Sequence, residues 1–368
     1  MIFLDHAATS LLKPPSVEQA IRRALHEMAS PGRGAYRPAM QAAETLYRCR
    51  EQAASLFHVM DPSRVVFTMN ATHGLNIAIH SLAKAGSTVL ISGFEHNSVT
   101  RPLHALGCRI RIAGRKLFDR EDTLRDFRSL LPGSDLVICT AVSNVFGYIL
   151  PIGEIAGLCR EASVPLIVDA SQAAGVLDLD FSSLGAAFMA MPGHKGLLGP
   201  QGTGLLLCAD PGVSLMQGGS GSESRVQEMP EDLPDHLEAG THNVCGIAGL
   251  LAGLEYVRRR STERILRHEQ RLLQLAAQEL GKADCELFLG TTDNQCGVLS
   301  LRSEKTDCES LALLLGEKGI CVRSGLHCAP LAHESAGTLE TGTLRLSFSP
   351  LLEERQVSQA CRTIRAFL

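Results

Sequence analysis

Lys195 lies in "MPGHKGLLGPQGTG", residues 191–204, among glycines and prolines between apolar runs. There the amine is held near backbone, not carried on a helix face, which is the setting a Schiff-base lysine needs. Asp169 closes the apolar run of "VPLIVDASQAAG". A carboxylate at the end of a buried strand is costly unless it meets a positive charge or several donors. Pyridoxal phosphate offers such a partner, a pyridinium nitrogen whose protonated form, held by a carboxylate, makes the ring an electron sink. Cys328, in "VRSGLHCAPL", stands between a histidine and an alanine–proline pair in a loop-rich stretch, with Arg323 upstream. A thiolate nucleophile needs positive surroundings and solvent access, and Arg323 and His327 are the candidates to supply the charge. Each residue also has a plain structural reading: a solvated loop lysine, a helix N-cap, an inert loop cysteine.

These groups must be positioned by the elements around them. Short apolar runs ending in polar residues recur: "RVVFTMNAT", "STVLISGFEHN", "SDLVICTAVSN", "VPLIVDASQ" and "GTGLLLC". Helix-like stretches such as "GLNIAIHSLAKAG" and "PIGEIAGLCREAS" lie between them. Nearly all-apolar strands alternating with helices predict an α/β fold whose mainly parallel sheet is covered on both faces, with ligands beyond the carboxyl ends of the strands. The polar residues 70–73, 95–97, 143–144 and 169–172 then gather on one edge. From about Gly246 the texture changes to long helical sequence, then short strands and a final helix from about Leu352, a smaller α+β unit. The segment 217–236, "QGGSGSESRVQEMPEDLPDH", is long and without periodicity.

Composition excludes several classes. A net charge of −4 leaves no basic surplus for nucleic acid, and no segment has the length and apolarity of a membrane span. With no signal-like start, the expectation is a cytoplasmic protein. The 12 cysteines include no C-x-x-C pair, so neither a metal site nor a disulfide framework is expected.

In order and spacing, "FLDHAATS", "FTMNATHGLN", "FEHNSV", "VSNVFG", "VDASQ", "GHKGLLGPQGTG", "EAGTHN" and "RSGLHCAPL" resemble the class V aminotransferase group of pyridoxal 5'-phosphate enzymes. Within it the chain resembles the cysteine desulfurase and selenocysteine lyase family. The resemblance implies a type I pyridoxal-phosphate transferase fold with a mainly parallel seven-stranded sheet in a large domain, residues 16–250. A smaller α+β domain, residues 1–15 plus 251–368, then carries Cys328. By resemblance, Lys195 is the Schiff-base lysine, Asp169 holds the pyridinium, and His96 stacks on the ring and moves protons. Ala71, Thr72 and His194 hold the phosphate, Thr241 reaches the phosphate of a homodimer partner, and Asn144 and Gln172 bond the ring oxygen and orient the substrate side. Arg345 clamps the substrate carboxylate, with Arg323 on the substrate side, and the Cys328 thiolate takes sulfur from L-cysteine, leaving alanine. The resemblance further implies that the persulfide passes to a sulfur acceptor, with a protein among the candidates. L-selenocysteine as substrate, or an aminotransferase or epimerase with Cys328 a bystander, are the alternatives. Two positions depart from the family pattern: Pro192 stands where a serine often precedes the lysine by three, and His6 where many relatives have Asn. The short span from Cys328 to "GTLRLS" implies an ordered cysteine loop.

Overall fold

The computed structural model describes residues 1–32 and 34–368. After a short first strand, β1 (Ile2–Phe3), seven strands make the main sheet: β2 (Val65–Thr68), β3 (Thr88–Ser92), β4 (Arg109–Ala113), β5 (Leu136–Thr140), β6 (Leu166–Asp169), β7 (Phe188–Pro192) and β8 (Gly204–Cys208). Their order is β2-β8-β7-β6-β5-β3-β4, and β8 alone runs antiparallel to its neighbours. Every residue of β2, β3, β5, β6, β7 and β8 is buried, as strands covered on both faces require. Alternation splits their side chains between two cores: Val65, Phe67, Leu205 and Leu207 face one, Val66, Leu206 and Cys208 the other.

The sequence reading did not single out β4 and β7. β4, "RIRIA", is an edge strand whose arginines blunt the open edge, so it lacks the apolar signature of the others. β7, "FMAMP", has no β-branched residue and ends in proline.

A second sheet of four antiparallel strands has the order β12-β13-β10-β9, from β9 (Glu286–Phe288), β10 (Val298–Arg302), β12 (Arg323–Gly325) and β13 (Thr343–Ser347). β11 (Ile320–Cys321) pairs in parallel with β1. Ile2 and Leu4 thereby join a third core with Leu272, Leu299, Leu344 and Ile364. Helix Val244–Arg260 packs on helices Pro15–Glu27 and Arg37–Phe57. The 250/251 divide expected from sequence falls inside that helix, which ends at Ser261, a left-handed position (φ 66°) where helix Thr262–Leu280 begins. No helix or strand lies between Cys208 and Val244 among the described residues. Among these residues no helix is long and apolar enough to cross a membrane.

The first ten residues tie the two sheets together. Leu4 N–H donates to the Cys321 carbonyl (2.8 Å), Ser347 N–H to the Leu4 carbonyl (2.7 Å), and Ser10 N–H to the His194 carbonyl (2.9 Å). One extended segment thus runs from the second sheet to the turn that carries Lys195.

Candidate active site

The turn after β7 is closed by tight backbone packing. A Cβ on Gly196 would lie 2.4 Å from the Ala174 carbonyl oxygen, and one on Gly193 would lie 2.2 Å from Thr203 Oγ1, so neither position admits a side chain without rearrangement. From below, Ser10 Oγ meets the carbonyls of both His194 (2.8 Å) and Lys195 (2.9 Å). Lys195 itself enters a cleft also lined by Asn70, Ala71, Thr72, His96, Asn144, Asp169, Gln172, Pro192 and His194. Burial brings the lysine down to about 8; Asp169 opposes that shift, while Arg345 and Arg323 add to it. Its amine has no hydrogen-bond partner among the described residues, so it is available to a carbonyl compound.

Asp169, 2% exposed, accepts one hydrogen bond, from Ser171 N–H to Oδ1 at 2.9 Å. Its second oxygen has no donor among the described residues, and a buried carboxylate in that state calls for a cationic N–H in the cleft. Asn70 caps helix Ala71–Leu82 by accepting from His73 N–H (2.9 Å). The Ala71 and Thr72 N–H groups have no acceptor among the described residues, as first-turn donors at an anion site would. Thr72 Oγ1 is 2.8 Å from Ser98 Oγ, which joins this helix start to that of Asn97–Ala105. His96 caps the latter helix: Nδ1 accepts from Ser98 N–H at 3.0 Å, which leaves the ring proton of the neutral form on Nε2. Burial, with Lys195, Arg101 and Arg323 adding and Asp169 opposing, lowers His96 to about 4. His194, also lowered to about 4 chiefly by burial, has Nδ1 3.0 Å from Thr9 Oγ1. Gln172 donates to the Ala7 carbonyl at 2.9 Å and keeps its amide oxygen free. An anion cradle, an under-bonded carboxylate and an unpaired amine in one cleft fit pyridoxal phosphate by their donor set.

Among the described residues Cys328 is the only exposed cysteine. His327 and Cys328 both take left-handed backbone conformations (φ 49° and 57°). Two hydrogen bonds hold that shape: Asn144 Nδ2 donates to the His327 carbonyl and Asn97 N–H to the Cys328 carbonyl, each at 2.8 Å. His327 does not supply the positive charge expected of it. It is 5% exposed, and burial, aided by Arg345, His333 and Arg323, pushes it down to about 2, so the ring is neutral. Its Nε2 lies 3.2 Å from both Thr343 O and Oγ1, which makes it a support under the loop. Arg323 is exposed and forms no ion pair among the described residues, leaving its charge to the cleft.

Arg345 stands opposite Arg323 in the β12–β13 register and is 2% exposed. Its Nη2 donates to Asp5 Oδ1 (2.7 Å) and Nη1 to the Asn144 carbonyl (2.9 Å), while Nε is unpartnered. The guanidinium is thus already shared between Asp5 and the Asn144 carbonyl. Asp5, Ser10 and Ser98 did not stand out in the sequence; the available signals were an acidic residue in the "FLDHAATS" motif and a cap donor two residues after His96. Thr241 is not brought to the Lys195 cleft. It is exposed, in the wall of a different cavity beside Glu238 and His242.

A lysine and an aspartate at the carboxyl edge of a largely parallel sheet, facing a helix start with unengaged first-turn N–H donors, fit an enzyme whose cofactor is held through a lysine. A family model described as aminotransferase class-V matches residues 2–359, and the chain belongs to that family. It is 33% identical over 359 residues to a probable cysteine desulfurase of Methanothermobacter thermautotrophicus, covering 94% of this chain and 89% of the relative. A probable cysteine desulfurase of Xylella fastidiosa is 32% identical, covering 96% and 88%. Among solved structures, an apo cysteine desulfurase from Thermococcus onnurineus NA1 superposes with a TM-score of 0.91 at 27% identity, covering 99% of this chain and 94% of that one.

Proposed function

We propose that this protein is a pyridoxal-phosphate-dependent cysteine desulfurase, converting L-cysteine to L-alanine and collecting the sulfur on Cys328. The observation that carries the reading is the hydrogen bond from Asn144, a wall of the Lys195 cleft, to the His327 carbonyl, which fastens an exposed thiol to the lysine site. The similarity to curated desulfurases over almost the whole chain supports it. When bound through Lys195, pyridoxal phosphate supplies an electron-withdrawing ring that stabilises negative charge on the substrate carbons.

The chain's own residues do the rest. With the cofactor bound, Asp169 would hold a proton on the ring nitrogen, the Ala71 and Thr72 amides with His194 would hold the phosphate, and Asn144 and Gln172 would fix the ring oxygen and substrate. His96, neutral with its proton on Nε2, presents a donor to the cleft. Arg345 and Arg323 take the substrate carboxylate, Arg345 exchanging part of its contact with Asp5. The Cys328 thiolate attacks the substrate sulfur; the sulfur–sulfur bond forms as the carbon–sulfur bond breaks, its electron pair stays on carbon, and that carbon takes a proton to become the methyl of alanine. The persulfide then passes to a protein sulfur acceptor in a reducing, cytoplasmic setting.

We read the catalytic unit as a homodimer in which exposed Thr241 reaches the partner's phosphate site. The chain divides into a large domain from about residue 16 to Ser261 and a small one from residues 1–15 and 262–368, the break being placed at the helix boundary instead of 250/251. The test is incubation with L-cysteine and with L-selenocysteine, following alanine and the mass of the Cys328 peptide. Cys328→Ala is expected to accumulate no persulfide from cysteine and to keep more of its rate with selenocysteine, whose carbon–selenium bond is weaker. Unchanged cysteine turnover in that variant would make Cys328 a bystander.

A further inference from the structure

The open edge of the main sheet carries a buried charge network outside the Lys195 cleft. β2 pairs only with β8, so its other side presents backbone groups that need partners. Arg50, of helix Arg37–Phe57, and Glu238 supply them. Arg50 Nη1 donates to the Val65 carbonyl, and Phe67 N–H donates to Glu238 Oε1 at 2.5 Å. The two side chains also meet each other twice, Nη1 to Oε1 at 2.8 Å and Nη2 to Oε2 at 2.6 Å, with the guanidinium 4.2 Å from the centre of the Phe67 ring. Arg50 and Glu238 are 8% and 6% exposed. A buried carboxylate with a forked arginine contact and a backbone donor is fixed in place. Burial works to raise the Glu238 carboxyl, but Arg50 and the His242 ring outweigh it, so the group lies below its ordinary value and is charged.

One more contact of Glu238 leads away from the strand. His242 Nε2 lies 2.5 Å from Oε2, and since a carboxylate only accepts, the ring donates. The same ring stands edge-on to Phe67, with centroids 6.2 Å apart. Residues 238 and 242 are thus held to one strand residue, and the three between them make a short turn. Gly240 takes the left-handed conformation the turn requires (φ 96°), and its N–H donates to the Gly219 carbonyl at 2.8 Å. Thr241 stands at the crest, exposed, its hydroxyl without a hydrogen bond among the described residues. β2 itself runs on into Asn70, Ala71 and Thr72, the start of the helix whose first-turn donors face the cleft. We propose that Glu238 is the positioning residue for Thr241: through His242 its carboxylate ties the 238–242 turn to β2 and presents the Thr241 hydroxyl, at a fixed place, to the partner subunit's phosphate site. One strand then carries both the donors for this chain's own cofactor phosphate and the hydroxyl lent across the interface. Without the His242 contact the stretch 239–241 keeps a single backbone tie, at Gly240, and the hydroxyl is offered from a loose loop.

The proposal rests on the reading of Thr241 given above, and the experiment lets the two fail separately. Glu238→Gln would strand the buried Arg50 charge, so the test cuts the other end of the link. Full-length protein freed of cofactor is titrated with pyridoxal 5'-phosphate and with pyridoxal, which has no phosphate. His242→Ala is expected to weaken pyridoxal phosphate about tenfold, the weight of one hydrogen bond to a charged group, and to leave pyridoxal unchanged. His242→Gln, whose amide N–H takes the place of Nε2–H, restores most of the affinity. Thr241→Val gives the same phosphate-specific loss by removing the hydroxyl itself. Action across the interface is read in heterodimers with Lys195→Ala in one subunit, so that the lysine-linked absorbance reports the other subunit's pocket alone. His242→Ala placed in the Lys195→Ala subunit reproduces the loss; placed in the other subunit it has no effect. The opposite pattern overturns the proposal, as does an equal loss for both ligands, or an unaltered His242→Ala beside a weakened Thr241→Val. A Thr241→Val variant with wild-type affinity overturns the reading of Thr241 instead.

Discussion

The turn that carries Lys195 and the loop that carries Cys328 face one cleft and are built by different means. The lysine turn is held by glycines that let backbone pack on backbone and by Ser10 beneath two of its carbonyls. The cysteine loop holds two non-glycine residues in left-handed conformations, each costing about 1–3 kcal/mol, and offsets that with hydrogen bonds from Asn144 and Asn97. The lysine turn also holds one non-glycine residue, Leu198, in a left-handed conformation (φ 58°), and burial of its seat lowers the proton affinity of the amine. The Cys328 thiol is exposed, and its loop is kept ordered by hydrogen bonds to the His327 and Cys328 carbonyls and by the His327 ring beside Thr343.

Breaking the lysine side gives the largest effect expected. Lys195→Ala loses covalent attachment of the cofactor entirely while keeping the fold, checked by borohydride reduction and peptide mapping; a labelled peptide containing another lysine would refute the assignment. Asp169→Asn keeps the side chain's shape and removes its charge, and turnover is expected to fall by about 2–4 orders of magnitude with the cofactor still bound. Full turnover in a fully loaded variant would exclude the pyridinium contact.

Ser10→Ala sharpens the comparison because it touches only one side. The loss of its contacts with the His194 and Lys195 carbonyls is expected to cost about 1–2 kcal/mol in urea unfolding and to leave the rate of Cys328 alkylation unchanged. Faster alkylation would mean that the two loops are mechanically coupled.

The smallest difference is expected from acid. His96 and His194 on the cleft, with His6 and His333, are lowered from 6.5 to about 4, and His327 under the cysteine loop to about 2. Each binds a proton more weakly folded than unfolded, so the stability they contribute is complete above pH 6.5 and is lost as pH falls toward 4. Urea midpoints at pH 7, 5.5 and 4.5 should decline, and His327→Gln should flatten the decline slightly relative to wild type. An equal slope in both would show that His327 is not buried neutral.

Much of the cleft was legible because strand ends of a parallel sheet converge on one edge. The runs ending at Asn70, Glu95, Ser143 and Asp169 needed only their apolar lengths and polar terminations to be placed, and Lys195 only its glycines. What stayed hidden lies in pairings that local patterns do not encode. Asp5 and Arg345 are 340 residues apart and meet because Asp5, just past β1, bridges Ser347 at the end of β13. His327 reads as a charge beside a thiol, yet its ring turns inward under Thr343, a choice made by the backbone at φ 49°. Helix Val244–Arg260 continues past the expected domain divide because its packing partners, helices 15–27 and 37–57, come from the beginning of the chain.

The N-terminal segment has a consequence for the order of assembly. Residues 2–5 pair with 320–321 and 345–347, so their partners are synthesised more than 300 residues after them. The main sheet, complete by Cys208, has the sequence it needs to collapse while the chain is still being made. Ser10 can reach the lysine turn at that stage, but Asp5 cannot find Arg345, nor can Asn144 seat the cysteine loop. A growing chain therefore acquires the surroundings of Lys195 well before those of Cys328, and the two halves of the cleft are assembled at different times.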